Sequence, residues 1–148
     1  NHGSGETLAT SMASAVQSEE PWFGYYWGPT TPLGKFDMTK VSLGEEIEAA
    51  QIANANADSA DAAVTEFATA PVLTVVTKDF QTSHPEVSEL MSKVQFETNQ
   101  MSSLLAWMDE NNASSEEAAV YCLTNNSEIW KDWINDDARA KLSALLGD

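Results

Sequence analysis

The residues best placed to do chemistry in this chain of 148 residues are aromatic rather than titratable. Trp22-Phe23-Gly24-Tyr25-Tyr26-Trp27, closed by Gly28-Pro29, is too short for a helix and rich in strand-forming types. On extended backbone successive side chains alternate, so Phe23, Tyr25 and Trp27 share one face while Trp22, Gly24 and Tyr26 share the other. Ligands of open α/β folds bind beyond the carboxyl ends of strands, which is where Trp27 falls. An electron-rich indole face there attracts a quaternary ammonium. Such a group has no hydrogen-bond donor and is recognised by shape and by cation–π attraction of about 0.5–2 kcal/mol per ring. Aromatic strands more often fill cores, and from these residues alone packing is the stronger reading.

Other chemistry is sparse. The chain has no nucleophile elbow, no phosphate-binding glycine loop and no His-Glu-x-x-His. His2 and His84 each stand apart from any second histidine or cysteine, so the sequence predicts no metal site, and His84 reads as a residue leading into a helix at Pro85. Gly3-Ser4-Gly5 before a helix offers free amides to an anion, a weak signal because such triplets are common at helix starts. Cys122 lies within the apolar stretch Ala118-Ala119-Val120-Tyr121-Cys122-Leu123 and reads as a small buried hydrophobe. With one cysteine no internal disulfide can form. No catalytic residue and no cofactor are expected.

Seven Lys and Arg against 23 Asp and Glu give a formal net charge of -16. That field repels phosphate backbones and anionic headgroups, so nucleic acid and anionic lipid are excluded as partners. The carboxylates read as a solvated surface. A hydrophobic fraction of 43% suits one packed domain. No apolar run approaches the roughly 20 residues that cross a bilayer, and no signal peptide is visible at the start.

The elements that must position the aromatic run are a few strands and many helices. Ser4 caps a first helix carrying Leu8, Met12 and Val16. Residues 22–27 read as a central strand covered on both faces, 30–34 as a turn or single helical turn, and 36–41 as a second strand. Gly44-Glu45-Glu46-Ile47 resembles a helix start, and low hydrophobicity up to Phe67 suits an exposed excursion. Pro71-Val72-Leu73-Thr74-Val75-Val76-Thr77 is the clearest strand. Everything after His84 reads as helix: Pro85 opens one, Thr98 caps the next, Ser114 and Glu117 have capping-box spacing, Ser127 begins a fourth, and 137–146 is the last. Strands separated by helices favour an α/β layer.

Glu20-Pro21-Trp22-Phe23-Gly24-Tyr25-Tyr26-Trp27-Gly28-Pro29-Thr30, followed by Leu33-Gly34-Lys35-Phe36-Asp37-Met38, resembles the hinge-region segment of substrate-binding proteins from glycine betaine/proline betaine ABC importers. Val75 to Phe80, His84 to Val87, Leu104 to Met108, Glu116 to Ala119, and Trp130 and Trp133 match the same family. The resemblance implies a two-lobed type II periplasmic-binding-protein fold. Only part of it is expected here: a small mixed sheet with flanking helices and a helical C-terminal part. Residues 1–27 would end one lobe and cross to the other, and 28–148 would form the carboxy-terminal part of that other lobe. The chain would then be a piece of a larger protein, without a closed pocket of its own, and a second copy could cover its exposed apolar surface.

Members hold the trimethylammonium group in a box of tryptophans. Trp27 carries over by position as one wall, with Tyr25 and Thr30 as weaker candidates for the same pocket; the remaining box residues belong to earlier segments absent from this chain. The implied function is capture of glycine betaine or a related quaternary amine and its delivery to ABC permease subunits, without catalysis. The implied place is the periplasm, or the outer surface of a Gram-positive cell with a membrane anchor. The alternative is a sensory or interaction module built on the same fold.

Overall fold

A computed structural model describes residues 3–56, 60 and 62–146. Two compact units emerge: residues up to 38 together with those from 76 onward, and residues 39–75. Of the described residues 57% are helical, and no strand occurs among them.

The first unit begins with α1 (Gly5–Gln17). Ser4 accepts the Thr7 amide at 3.3 Å while the Thr7 hydroxyl accepts the Ser4 amide at 3.1 Å, a reciprocal box that satisfies two free amide donors. Met12 is its fully buried residue, whereas Val16 stays exposed. After the aromatic run comes α2 (Thr31–Lys35), a single turn with Pro32 near its start. Past residue 76 lie α4 (Lys78–Ser83), α5 (Pro85–Lys93), α6 (Thr98–Glu110), α7 (Ser115–Asn125), α8 (Ser127–Trp130) and α9 (Asp136–Leu146). Helix α5 starts at Pro85 as the sequence predicts, and the Ser114–Glu117 box closes at 3.3 and 2.8 Å. At α6 the N-cap is Glu97, one residue before the expected Thr98.

Packing in this unit centres on α6. Helix α2 lies across it so closely that a Cβ on Gly34 would stand 2.0 Å from the Ser102 carbonyl oxygen and 2.8 Å from Ala106 Cβ. Ser102 and Ala106 are buried one turn apart, so small residues on both partners set the spacing. The apolar stripe of Met101, Leu104, Leu105 and Met108 along this helix is only half-buried. Helix α7 packs on α6 through buried Ala118 and Cys122, and α8 turns back on α7 with Trp130 Nε1 donating to the Leu123 carbonyl at 3.0 Å. Cys122 is thus the small buried residue the sequence suggests, its thiol held above the ordinary range first by burial and then by the charge of Glu128.

The second unit holds α3 (Glu48–Ala55), which starts just after the expected 44–47. A returning segment clasps it through polar groups. The Thr65 hydroxyl accepts the Ile47 amide at 2.8 Å and donates to the Glu45 carbonyl at 3.1 Å. Asn54 pairs both ways with the Ala63 backbone, and Gln51 donates to the Glu66 carbonyl. Val64, Phe67, Val72, Leu73 and Val75 are exposed.

The expected small mixed sheet is therefore corrected. Residues 22–27, 36–41 and 71–77 have the composition of strands but belong to no ladder among the described residues. A strand is defined by a partner that supplies its hydrogen bonds, and alternating apolar residues specify one edge of that pairing only. Phe23 and Val72, 85% and 95% exposed, show the consequence: the aromatic run is not covered on both faces.

Candidate functional site

The aromatic run leaves α1 through a polar break and is anchored to it. Trp22 Nε1 donates to Ser11 Oγ at 3.2 Å, and Trp22 is half-buried. Alternation survives without a sheet: Phe23, Tyr25 and Trp27 are exposed, Trp22 and Tyr26 half-buried. Trp22 is thereby the structural member of the set.

Trp27 is fixed on several sides. Its indole runs over the start of α1, where a Cβ on Gly5 would meet Cη2 at 2.7 Å, so glycine there admits the ring. Tyr26 stacks on it with centroids 4.8 Å apart and planes 26° apart, and Tyr25 lies tilted at 6.1 Å. Even so, 46% of Trp27 remains open to solvent. The peptide Gly28–Pro29 that follows is cis. Thr30 then secures the turn twice: its hydroxyl donates to the Trp27 carbonyl at 3.1 Å, and its amide donates to Ser102 Oγ on α6 at 3.2 Å.

The structure thus brings together all three residues singled out in the sequence, Trp27 and Tyr25 through their rings and Thr30 through the Trp27 carbonyl. Alternation places Tyr26 on the opposite face, yet its ring lies on the indole. Gly5 enters the sequence reading only within Gly3-Ser4-Gly5, as a helix start, and Ser102 does not enter it. For Ser102 the available signal is its spacing from Ala106, two small residues one turn apart on one side of the helix. The three aromatic rings lie together, and clustered ring faces of this kind attract cations that carry apolar groups. Among the described residues no group of three or more His, Cys, Asp or Glu side chains gathers as a metal cage, and His2 lies outside them. His84 stacks on Phe80 at 5.0 Å and shares a 2.9 Å hydrogen bond with Ser83 Oγ, at the junction of α4 and α5.

Residues 1–125 match the family of the substrate-binding domain of ABC-type glycine betaine transport systems, OpuAC, and the chain belongs to that family. A comparison with curated proteins returns no match. The chain accordingly has a substrate-binding role in ABC-type glycine betaine transport, in a family whose members bind a small molecule, work with permease partners and lie in the periplasm or outside the cell. The match covers the aromatic run and α1 to α7; Trp130 and Trp133 fall beyond it. Among the described residues no helix is long and apolar enough to cross a membrane.

Proposed function

We propose that this chain captures glycine betaine or a related quaternary amine on the exposed face of Trp27. Tyr25 supplies an adjoining ring and Thr30 holds the turn that presents the indole. The observation that carries this reading is the combination at Trp27 of support and exposure: a ring stacked on Tyr26, laid over Gly5 and still 46% open. An indole serving only the core would be sealed, and one serving nothing would be loose. The cation meets the ring face, and each ring adds about 0.5–2 kcal/mol, so Trp27 and Tyr25 together supply part of the affinity and other groups the rest. The captured solute is then passed, unchanged, to permease subunits on the outer side of the membrane.

The test is a thermal-shift panel of glycine betaine, proline betaine, choline and carnitine on the full-length protein and its Trp27→Ala variant. We expect the variant to bind the preferred ligand about tenfold more weakly, the loss of one strong cation–π contact. Wild-type stabilisation of Trp27→Ala by every compound would remove Trp27 from the site.

A further inference from the structure

A second cleft, of about 280 Å³, opens between α6, α7 and α8. It shares no residue with the aromatic run: α2 and Thr30 meet α6 through Ser102 and Ala106, while Asn99 and Ser103 face the cleft. Two of its walls are aromatic rings, each braced by a tryptophan outside the cleft. Tyr121 stacks on Trp107 with centroids 3.9 Å apart and planes 11° apart, and Phe96 meets Trp133 edge-on at 5.2 Å. Bracing of this kind fixes the rings before any ligand arrives.

The polar lining has one sign. Glu128 is the charged residue of the cleft, and no Lys, Arg or His joins it. Its charge is felt at the cleft wall, where it adds to burial in disfavouring the Cys122 thiolate. The side chains of Asn99, Ser103 and Asn126 line the same space and make no hydrogen bond among the described residues. Asn99, Ser103 and Glu128 are exposed, so the polar side of the cleft is open to solvent and to a ligand, beside the braced aromatic walls. The volume falls just under the range of roughly 300–1,000 Å³ typical of drug-sized ligands, so the occupant is small.

We propose that this cleft is a second binding site, for a small organic monocation bearing apolar groups. The Phe96 and Tyr121 rings receive the apolar part and Glu128 the charge. An anion or a zwitterion's carboxylate would face Glu128 unpaired, and a neutral solute would leave its field unused. The site is separate from the Trp27 surface and does not depend on the reading given for it.

The experiment is a choline chloride titration of the uniformly 15N-labelled chain at constant ionic strength, to about 100 mM. Amide resonances of Asn99, Ser103, Asn126 and Glu128 are expected to move together on one saturable curve. Glu128→Gln, an exposed substitution, is expected to weaken that curve about fivefold, and Trp27→Ala to leave it unchanged. The neutral isostere 3,3-dimethyl-1-butanol is expected to move these resonances little. The proposal is overturned if they do not respond to choline, if the neutral alcohol moves them equally, or if Glu128→Gln titrates like wild type. Movement of the Trp27 indole N–H alone would overturn this site while leaving the Trp27 reading intact.

Discussion

The contact between α2 and α6 and the clasp around α3 hold their chain segments by opposite means. In the first, absence of side chain does the work: Gly34 lets one backbone settle under the Ser102 carbonyl, and buried Ala106 completes the fit. In the second, side chains stand in for a backbone ladder, as Thr65, Gln51 and Asn54 bond to main-chain groups of the facing segment. Close contact of backbones depends on volume and tolerates no addition. A polar clasp depends on donors and acceptors and leaves apolar residues such as Val64 and Val72 outside it. The Trp27 turn is tied to the first kind of support, through the bond from the Thr30 amide to Ser102. The Trp27 turn thereby rests on close backbone packing and not on a polar clasp.

The largest effect that sharpens this contrast is expected from Gly34→Ala. Its methyl group would overlap backbone, not a flexible side-chain end, so α2 must lift from α6. We expect a loss of about 1–3 kcal/mol in urea denaturation, with weakened ligand binding at Trp27 because the Thr30–Ser102 bond stretches. Gly3→Ala, where a Cβ would meet open space, serves as control and is expected to stay within about 0.5 kcal/mol of wild type. Equal behaviour of the two variants would break the account of the α2–α6 contact.

The same contrast explains what could be seen in the sequence. Helices were legible because their signals are local: Ser4 and Ser114 cap where hydroxyls precede helical runs, and Pro85 opens α5. Trp27 was legible as the last ring of an alternating run before Gly28-Pro29. The stack of Tyr26 on Trp27 was not, since alternation assumes the geometry of a paired strand and the run 22–27 is unpaired among the described residues. Nor was the absence of a sheet among the described residues, because Val72 to Val76 state only that the segment would suit a ladder. The α2–α6 contact was obscured for another reason: the hydrophobic stripe of α6 draws the eye to Leu104 and Met108, while the contact runs through Ser102 and Ala106.

A smaller effect is expected within the clasp. Thr65→Val keeps the shape of the side chain but removes both the acceptor for the Ile47 amide and the donor to the Glu45 carbonyl. The cost is about 1 kcal/mol and local. Amide exchange of Ile47 and Glu66 is expected to quicken roughly fivefold, while Phe36, bonded to the Pro32 carbonyl at 2.9 Å, keeps its rate. Thr65→Ser should restore both bonds. Unchanged exchange at Ile47 in Thr65→Val would mean that the clasp is held by something other than Thr65.

The smallest effect separates the two regions by pH. In the clasp, hydrogen bonds from the Thr69 hydroxyl and amide hold Glu46 below the ordinary carboxylate value of 4.5, and the Leu43 amide does the same for Glu66, aided by the Phe67 amide and Lys40. Depressed carboxylates contribute stability that is fully present above their unfolded value and is lost as pH falls through the folded one. At the α2–α6 contact the ion-paired hydrogen bond to Asp109 raises Lys35 above 10.5, so its contribution is full below that value and is lost as pH rises through the raised one. Acid below about 4.5 should therefore loosen the clasp, seen as Leu43 and Thr69 amides losing protection while Phe36 keeps its own, and should also loosen the start of α7, where Ser114 holds Glu117 low in the same way; alkali above about 10.5 should weaken the α2–α6 contact. Both groups are solvated, so each change is a gradual loosening and not a transition. Glu66→Gln should flatten the acid response at Leu43, and Lys35→Met the alkaline response. If acid released Phe36 together with Leu43, the two regions would share one support and the contrast between packed backbone and polar clasp would be wrong.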